Sequence, residues 1–282
     1  MTITTVNQLE TGLATRNTRI ISSRDDPSAG NATAGHFISY WRATGGIPAA
    51  GAIPTTSAAV NHLTTGAITF MQQTSPLTSY LAELGGTAFI ANTTIEVHDR
   101  LIHMGGLNGN ITTLQSVTGL DLSSFLSSDN ITNRIGDANY SDVQWWVEFY
   151  TDIGGTASVA TIGVTYNDGT TGNLTTIAAF GRRAPRMLPL NYLIPAADSG
   201  KYIRGIREIT LSAATGTIGN FGFTATRYRA SIYAPYINQS FTEGWTKTGL
   251  SEIYNNSCLF PVVISGGPNS GTIRTTGTIA HG

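Results

Sequence analysis

Charge is what this chain has least of. Of its 282 residues only 12% are Asp, Glu, Lys or Arg, about half the usual ~25%, and the formal net charge is −1. That balance removes the long-range attraction on which binders of nucleic acid and of anionic membranes rely, so no direct nucleic-acid partner is expected. Lysine is scarcer still, with Lys201 and Lys247 alone, so positive charge comes almost entirely from arginine. Arginine makes bidentate carboxylate contacts and is enriched at protein interfaces, which leans towards a protein partner. Cysteine occurs once, as Cys258 in an apolar setting, which excludes an intrachain disulfide and a multi-cysteine zinc site and fits an inert buried thiol. No run approaches ~20 apolar residues, so no membrane-spanning helix is expected. The first residues also lack the basic-then-apolar order of a signal peptide.

Thr, Ser, Asn and Gly take the place of charge, and 32 Gly with 10 Pro punctuate the chain throughout. Residues 1–90 read as a loop-rich N-terminal region or arm. Residues 9–21 there suit either a short helix or an extended segment, and a short helix is expected at 76–84, behind Pro76. The Gly/Pro/Ala stretch 44–54 suits neither a regular helix nor a central strand.

Residues 91–282 read as a β-sandwich domain. At 143–151, Val143, Trp145, Val147 and Phe149 share one face and Gln144, Trp146, Glu148 and Tyr150 the other. At 94–103 the alternation of Ile95, Val97 and Leu101 is broken by Asp99. Asp168-Gly169 between two β-prone runs is a hairpin signal, because glycine supplies the positive φ such turns need. The runs 205–212 and 219–228 read as a second hairpin-like pair. Short strands with turns between them indicate an all-β sandwich or jelly roll and not alternating βαβ units.

Chemistry-bearing residues are sparse. The densest polar group is His98, Asp99, Arg100 and His103. In a strand the two histidines point to opposite faces, so they do not jointly chelate a metal, and the group reads as structural or interfacial. Asp25-Asp26 lies in no ligand loop, and the region 105–109 lacks the Lys-Ser/Thr of a phosphate cradle. No metal or cofactor site and no catalytic constellation is expected, and the chain reads as a non-enzyme. The candidates for partner contact are Trp41, Trp146, Tyr150 and Trp245, with Arg182, Arg183 and Arg186 around Pro185 as a cationic clamp. Core packing is the commoner use of tryptophan, and a solvated loop the commoner use of such arginines. Trp146 and Tyr150 are also candidates to stack on sugar rings.

The ordered segments VHDRLIHMGGLNGNITT (97–113), VQWWVEFYT (143–151), RMLPL (186–190) and ITLSAATGTIGNFG (209–222), with the ending SGTIRTTGTIAHG (270–282), resemble a group of uncharacterised structural proteins of tailed-bacteriophage particles. The resemblance covers most of 36–282 and brings no catalytic residues. It implies a virion protein made in a host bacterial cytoplasm. A capsid decoration or cement role is the first reading, with a homo-oligomer bound to the major capsid protein and to other virion proteins. A tail, head–tail junction or fibre component, glycan- or receptor-binding, is the second.

Overall fold

Helices occupy only short stretches of the chain, the longest being the ten residues Val6–Thr15. A computed structural model describes residues 2–25, 33–181, 184–268 and 271–282. Helix α1 (Val6–Thr15) leads into β1 (Asn17–Arg24), β2 (Phe37–Ser39), β3 (Gly46–Ile47), β4 (Ala58–Ala59) and β5 (Ser79–Ala88). There follow β6 (Thr93–Leu107), β7 (Gln115–Ser116), α2 (Ile131–Arg134), β8 (Gln144–Thr151), β9 (Ala160–Tyr166), β10 (Thr171–Asn173) and β11 (Arg186–Pro189). The remainder is β12 (Ile203–Leu211), β13 (Asn220–Ala234), β14 (Phe241–Gly244), α3 (Trp245–Thr248), β15 (Leu259–Ile264) and β16 (Ile273–His281). The fold is all-β.

The chain divides into two compact units: Met1–Ala52, Asn61–Asp99 and Tyr228–Gly282 form the first, Ile53–Val60 and Arg100–Arg227 the second. This differs from the expected division at residue 90, and the reason is long-range pairing. In the first unit β1 and β5 both pair antiparallel with β16, with Asn17 opposite Ala280 and Ala88 opposite Ile273. The N-terminal segment is thereby part of a five-stranded sheet, ordered β14-β5-β16-β1-β3. Against it pack β15, β2 and the first half of β6, and Ile20, Leu81, Leu84, Ile95, Val97, Val263 and Ile279 fill the core. Helix α1 covers the other face of the sheet through Leu9, beside Ile3, Tyr80, Ala82 and Ala280.

Residues 76–84, expected to be helical, run instead into strand β5. Its residues serve two cores, Leu81 and Leu84 on one face and Tyr80 and Ala82 on the other. The register with β16 slips between Leu81 and Glu83, so a bulge carries Leu84 back to the face of Leu81. The resulting apolar spacing imitates a helix.

In the second unit the sheet β10-β9-β12-β7 shares a core with β8 and the first half of β13. Trp145, Val147 and Phe149 of β8 point into it, as their alternation predicts. Phe149, Phe180 and Phe221 form a ring cluster with centroids 5.3–6.0 Å apart. The Asp168-Gly169 hairpin joins β9 to β10, with Thr165 opposite Thr171 and Gly169 at φ +85°. The second expected hairpin does not form: β12 pairs with β9 and β7, whereas β13 pairs with β8. The connection between them is a crossover, held by the Thr215 hydroxyl, which donates to the carbonyls of Gly109 (3.0 Å) and Ile153.

Candidate functional site

His98, Asp99, Arg100 and His103 all lie on β6, and all four are buried. In the first unit Asp99 collects three kinds of donor. The Cys258 backbone N–H donates to Oδ1 at 2.8 Å, and the Ser257 hydroxyl (2.8 Å) and Arg229 Nη2 (3.0 Å) donate to Oδ2. Amide, hydroxyl and guanidinium together satisfy a carboxylate away from water. Arg229 has other partners too, donating through Nη1 to the Glu252 carbonyl (3.1 Å) and lying over the Tyr254 ring. His98 Nε2 sits 2.8 Å from Glu96 Oε2, and its ring meets Tyr228 edge-on.

In the second unit Arg100 forks onto Glu148, with Nη1 to Oε2 and Nη2 to Oε1 both at 2.8 Å. Thr224 Oγ1 donates to the same carboxylate at 2.5 Å. Arg100 Nη1 also lies 3.0 Å from His103 Nδ1. Since a guanidinium can only donate, Nδ1 is the acceptor and the His103 ring is neutral, with its proton on Nε2. Burial, and then the adjacent Arg100 charge, push His103 down to about 3. Burial, and then the Glu148 charge, hold the Tyr150 hydroxyl well above its ordinary range. Arg134 donates to the carbonyls of Val60 (2.8 Å) and Arg100 (2.6 Å), tying α2 to β6.

Both networks are sealed: the Arg100 and Glu148 side chains are 0% and 1% exposed. A substrate atom has no path to them, so their chemistry is to fix strands. Among the described residues, no group of three or more His, Cys, Asp or Glu side chains is placed to hold a metal ion.

The expected partner contacts separate into three groups. Trp41, Trp146 and Tyr150 are in the interior, which corrects their reading as surface anchors or sugar platforms. The Trp41 indole occupies a slot made by glycines, since a Cβ on Gly51 or Gly66 would stand 2.1 or 3.0 Å from its ring. Its Nε1 donates to the Ala52 carbonyl at 2.8 Å. That accounts for Gly51, whereas Gly45 and Gly46 take positive φ and lie against Asp25 and Ser23. Trp146 Nε1 donates to Thr226 Oγ1 at 2.8 Å, and the polar face of β8 is covered as fully as its apolar one. Arg186 begins β11 half-buried. Arg182 and Arg183, like Asp26, lie outside the described residues.

Trp245 alone of these is a surface aromatic, 42% exposed at the start of α3. Beside it a recess of about 160 Å³ is bounded by Ile3, Val6, Leu9 and Leu250. Val6 is exposed because a capping box sets the start of α1: Thr5 Oγ1 accepts from the Gln8 N–H (3.3 Å), and Gln8 Oε1 accepts from the Thr5 N–H (3.1 Å). The Thr-x-x-Gln signature of that cap stands in the sequence at 5–8 and was the available signal for this face. On the other side of α1 lies a larger groove of about 580 Å³, edged by Asn7, Thr11, Thr15, Pro76, Leu77 and His281.

No protein-family model and no curated protein matches the chain. Among solved structures, it aligns with T=1 particles derived from infectious bursal virus at 12% identity and a TM-score of 0.19, over 94% of this chain and 77% of that one. The VP2 subviral particle of infectious bursal disease virus aligns at 12% identity and a TM-score of 0.17, over 94% and 79%. Similarities of this size do not establish a common fold.

Proposed function

We propose that the chain is a non-enzymatic structural subunit of a virus particle of the tailed-phage kind. In this reading it decorates an assembled capsid as a homo-oligomer bound to the major capsid protein, and it belongs to the virion. The observation that carries it is the Val6–Trp245 face, where an exposed indole and an apolar recess stand beside the five-stranded sheet. Apolar patches of this kind mark protein contacts, and buried tryptophans dominate many of them. The resemblance of the ordered sequence segments to phage structural proteins supports the same reading. The balanced charge fits a subunit that meets protein, away from nucleic acid and lipid.

Reconstruction of purified particles, with copy number from quantitative mass spectrometry, tests this. Many copies at capsid symmetry positions, reduced in number by Trp245→Ala, are the expected result. A few copies at one vertex would move the protein to the tail or head–tail junction, and absence from particles would overturn the reading.

A further inference from the structure

Three segments meet at one end of the first unit: 89–92 between β5 and β6, 235–240 between β13 and β14, and 265–268 after β15. The Asn238 N–H donates to the Ala88 carbonyl at 2.9 Å and the Tyr233 hydroxyl to Asn92 Oδ1 at 2.8 Å. Gly266 fits against the 89–92 loop only because it has no Cβ, which would stand 2.1 Å from the Ala91 carbonyl oxygen. On this framework Phe89, Tyr233, Tyr236 and Ile237 are each 50–61% exposed. Tyr236 lies against Phe241 with ring centroids 6.4 Å apart and planes 33° from parallel. Residues 84–95, 230–242 and 265–273 contain no Asp, Glu, Lys, Arg or His at all. Every polar side chain on these loops is an amide or a hydroxyl.

We propose that this loop end binds a neutral saccharide. A hexose presents a C–H face that packs on an aromatic ring and a rim of hydroxyls, each both donor and acceptor. The loops offer the complement: rings already held by Phe241 and by Asn92, and the amides of Asn92, Asn238 and Gln239. An amide carries donor and acceptor together. Asn92 Oδ1 is engaged by Tyr233, so its NH₂ group is the donor on offer. Tyrosine among Asn and Ser is also the composition of recognition loops on other β-sandwiches, because a ring with two rotatable bonds loses little entropy on contact. Holding the rings beforehand lowers the cost further. The loops themselves select the class of ligand: a uronate or a phosphorylated sugar would meet no arginine or lysine on them, and Asp25, whose carboxylate reaches the Thr272 hydroxyl at 3.4 Å, repels an anion, as it does an anionic bilayer. This site is separate from the Val6–Trp245 face, and neither reading depends on the other.

Affinity electrophoresis of the full chain through gels containing a neutral glucan, mannan or galactan, with alginate as an anionic comparison, tests the proposal. Retardation is expected in at least one neutral gel and not in alginate. Tyr236→Ala and Tyr233→Ala should each weaken it by about tenfold, while Tyr192→Ala, at an exposed tyrosine of the second unit, leaves it unchanged. Thermal unfolding of each variant reports on its fold, and Gln239→Ala, at an exposed loop position, serves if a tyrosine variant fails to fold. Three results would overturn the proposal: no retardation in any neutral gel, equal retardation of Tyr236→Ala, or strongest retardation in alginate. Co-sedimentation with phosphatidylcholine vesicles, or self-association lost in Tyr236→Ala, would also overturn it by giving the surface to a bilayer or to a second copy.

Discussion

Asp99 and Arg100 are consecutive residues of β6, yet Asp99 closes a network in the first unit and Arg100 one in the second. The two networks are built differently. Asp99 spreads its charge over a backbone N–H, a hydroxyl and a guanidinium, and its partner Arg229 has a carbonyl and an aromatic ring besides. Arg100 places both of its terminal nitrogens on the single carboxylate of Glu148, and its further acceptors, neutral His103 and the Thr224 hydroxyl, carry no charge. A distributed network tolerates the loss of one charge better than a single fork does, because fewer groups are left buried and unsatisfied.

The largest expected effect follows from that difference. Glu148→Ala leaves Arg100 buried without its counter-charge and should destabilise the second unit by about 3–5 kcal/mol. Asp99→Asn keeps an acceptor oxygen for the Cys258 N–H and should cost less, about 1–3 kcal/mol. Native-state hydrogen exchange reads both, with protection lost first at 100–227 for Glu148→Ala and first in the strands around β15 for Asp99→Asn. Equal costs for the two variants would break the comparison.

A second effect, small per pH unit, separates the units by pH. An unfolded histidine takes up its proton near 6.5, whereas buried His103 does so only at about 3. Between those values the unfolded chain binds more protons. The contribution is therefore complete above pH 6.5 and declines as pH falls towards 3, by at most about 1.4 kcal/mol per pH unit. His103→Gln keeps an acceptor for Arg100 and removes the titration. It should flatten the pH dependence of protection in the second unit and leave that of the first unit, where His281 is the histidine lowered by burial, as it was. An unaltered slope in the second unit would mean that His103 is not the group responsible.

What the sequence makes legible here is local. The inward face of β8 and the Gly169 turn follow from alternation and from a positive φ, and both stand where expected. The helix expected at 76–84 fails because β5 is covered on both faces and bulged at Ala82, so its apolar residues lose the period of two that marks a half-exposed strand. The pairing of 205–212 with 219–228 fails because Thr215 holds the connection as a crossover, a contact with carbonyls about 60 and 106 residues away that no neighbouring residue reveals. Trp146 and Tyr150 read as surface candidates because Thr226 and Thr224, 80 and 74 residues away, meet them, and Trp41 because its slot needs Gly66 as well as nearby Gly51. Asp99 broke the alternation at 94–103 for a related reason: its donors at Arg229, Ser257 and Cys258 lie at least 130 residues along the chain. The aromatic loop end went unread because its three loops are brought together only by the sheets.

The smallest expected effect tests whether burial, more than pairing as such, makes the difference. Asp121 and Arg204 form an ion pair as well aligned as Arg100 with Glu148, with Nε and Nη2 reaching the carboxylate at 3.0–3.1 Å, but each side chain is 23% exposed. Burial alone would raise the Asp121 carboxyl, yet hydrogen bonds from Arg204 and Ser123 outweigh it and hold the group below its ordinary range. Its contribution is thus present at neutral pH and lost as acid protonates it. Asp121→Asn retains an oxygen to cap the turn at Ser123 and should cost only about 0.2–1 kcal/mol. Because water and ions reach this pair, that cost should shrink further at about 1 M salt, where the screening length is about 3 Å. The cost of Glu148→Ala, measured alongside in urea unfolding, should be the same at low and high salt, since no counter-ion enters the sealed site. If both costs fell together with salt, the Arg100 network would be wetter than its burial implies.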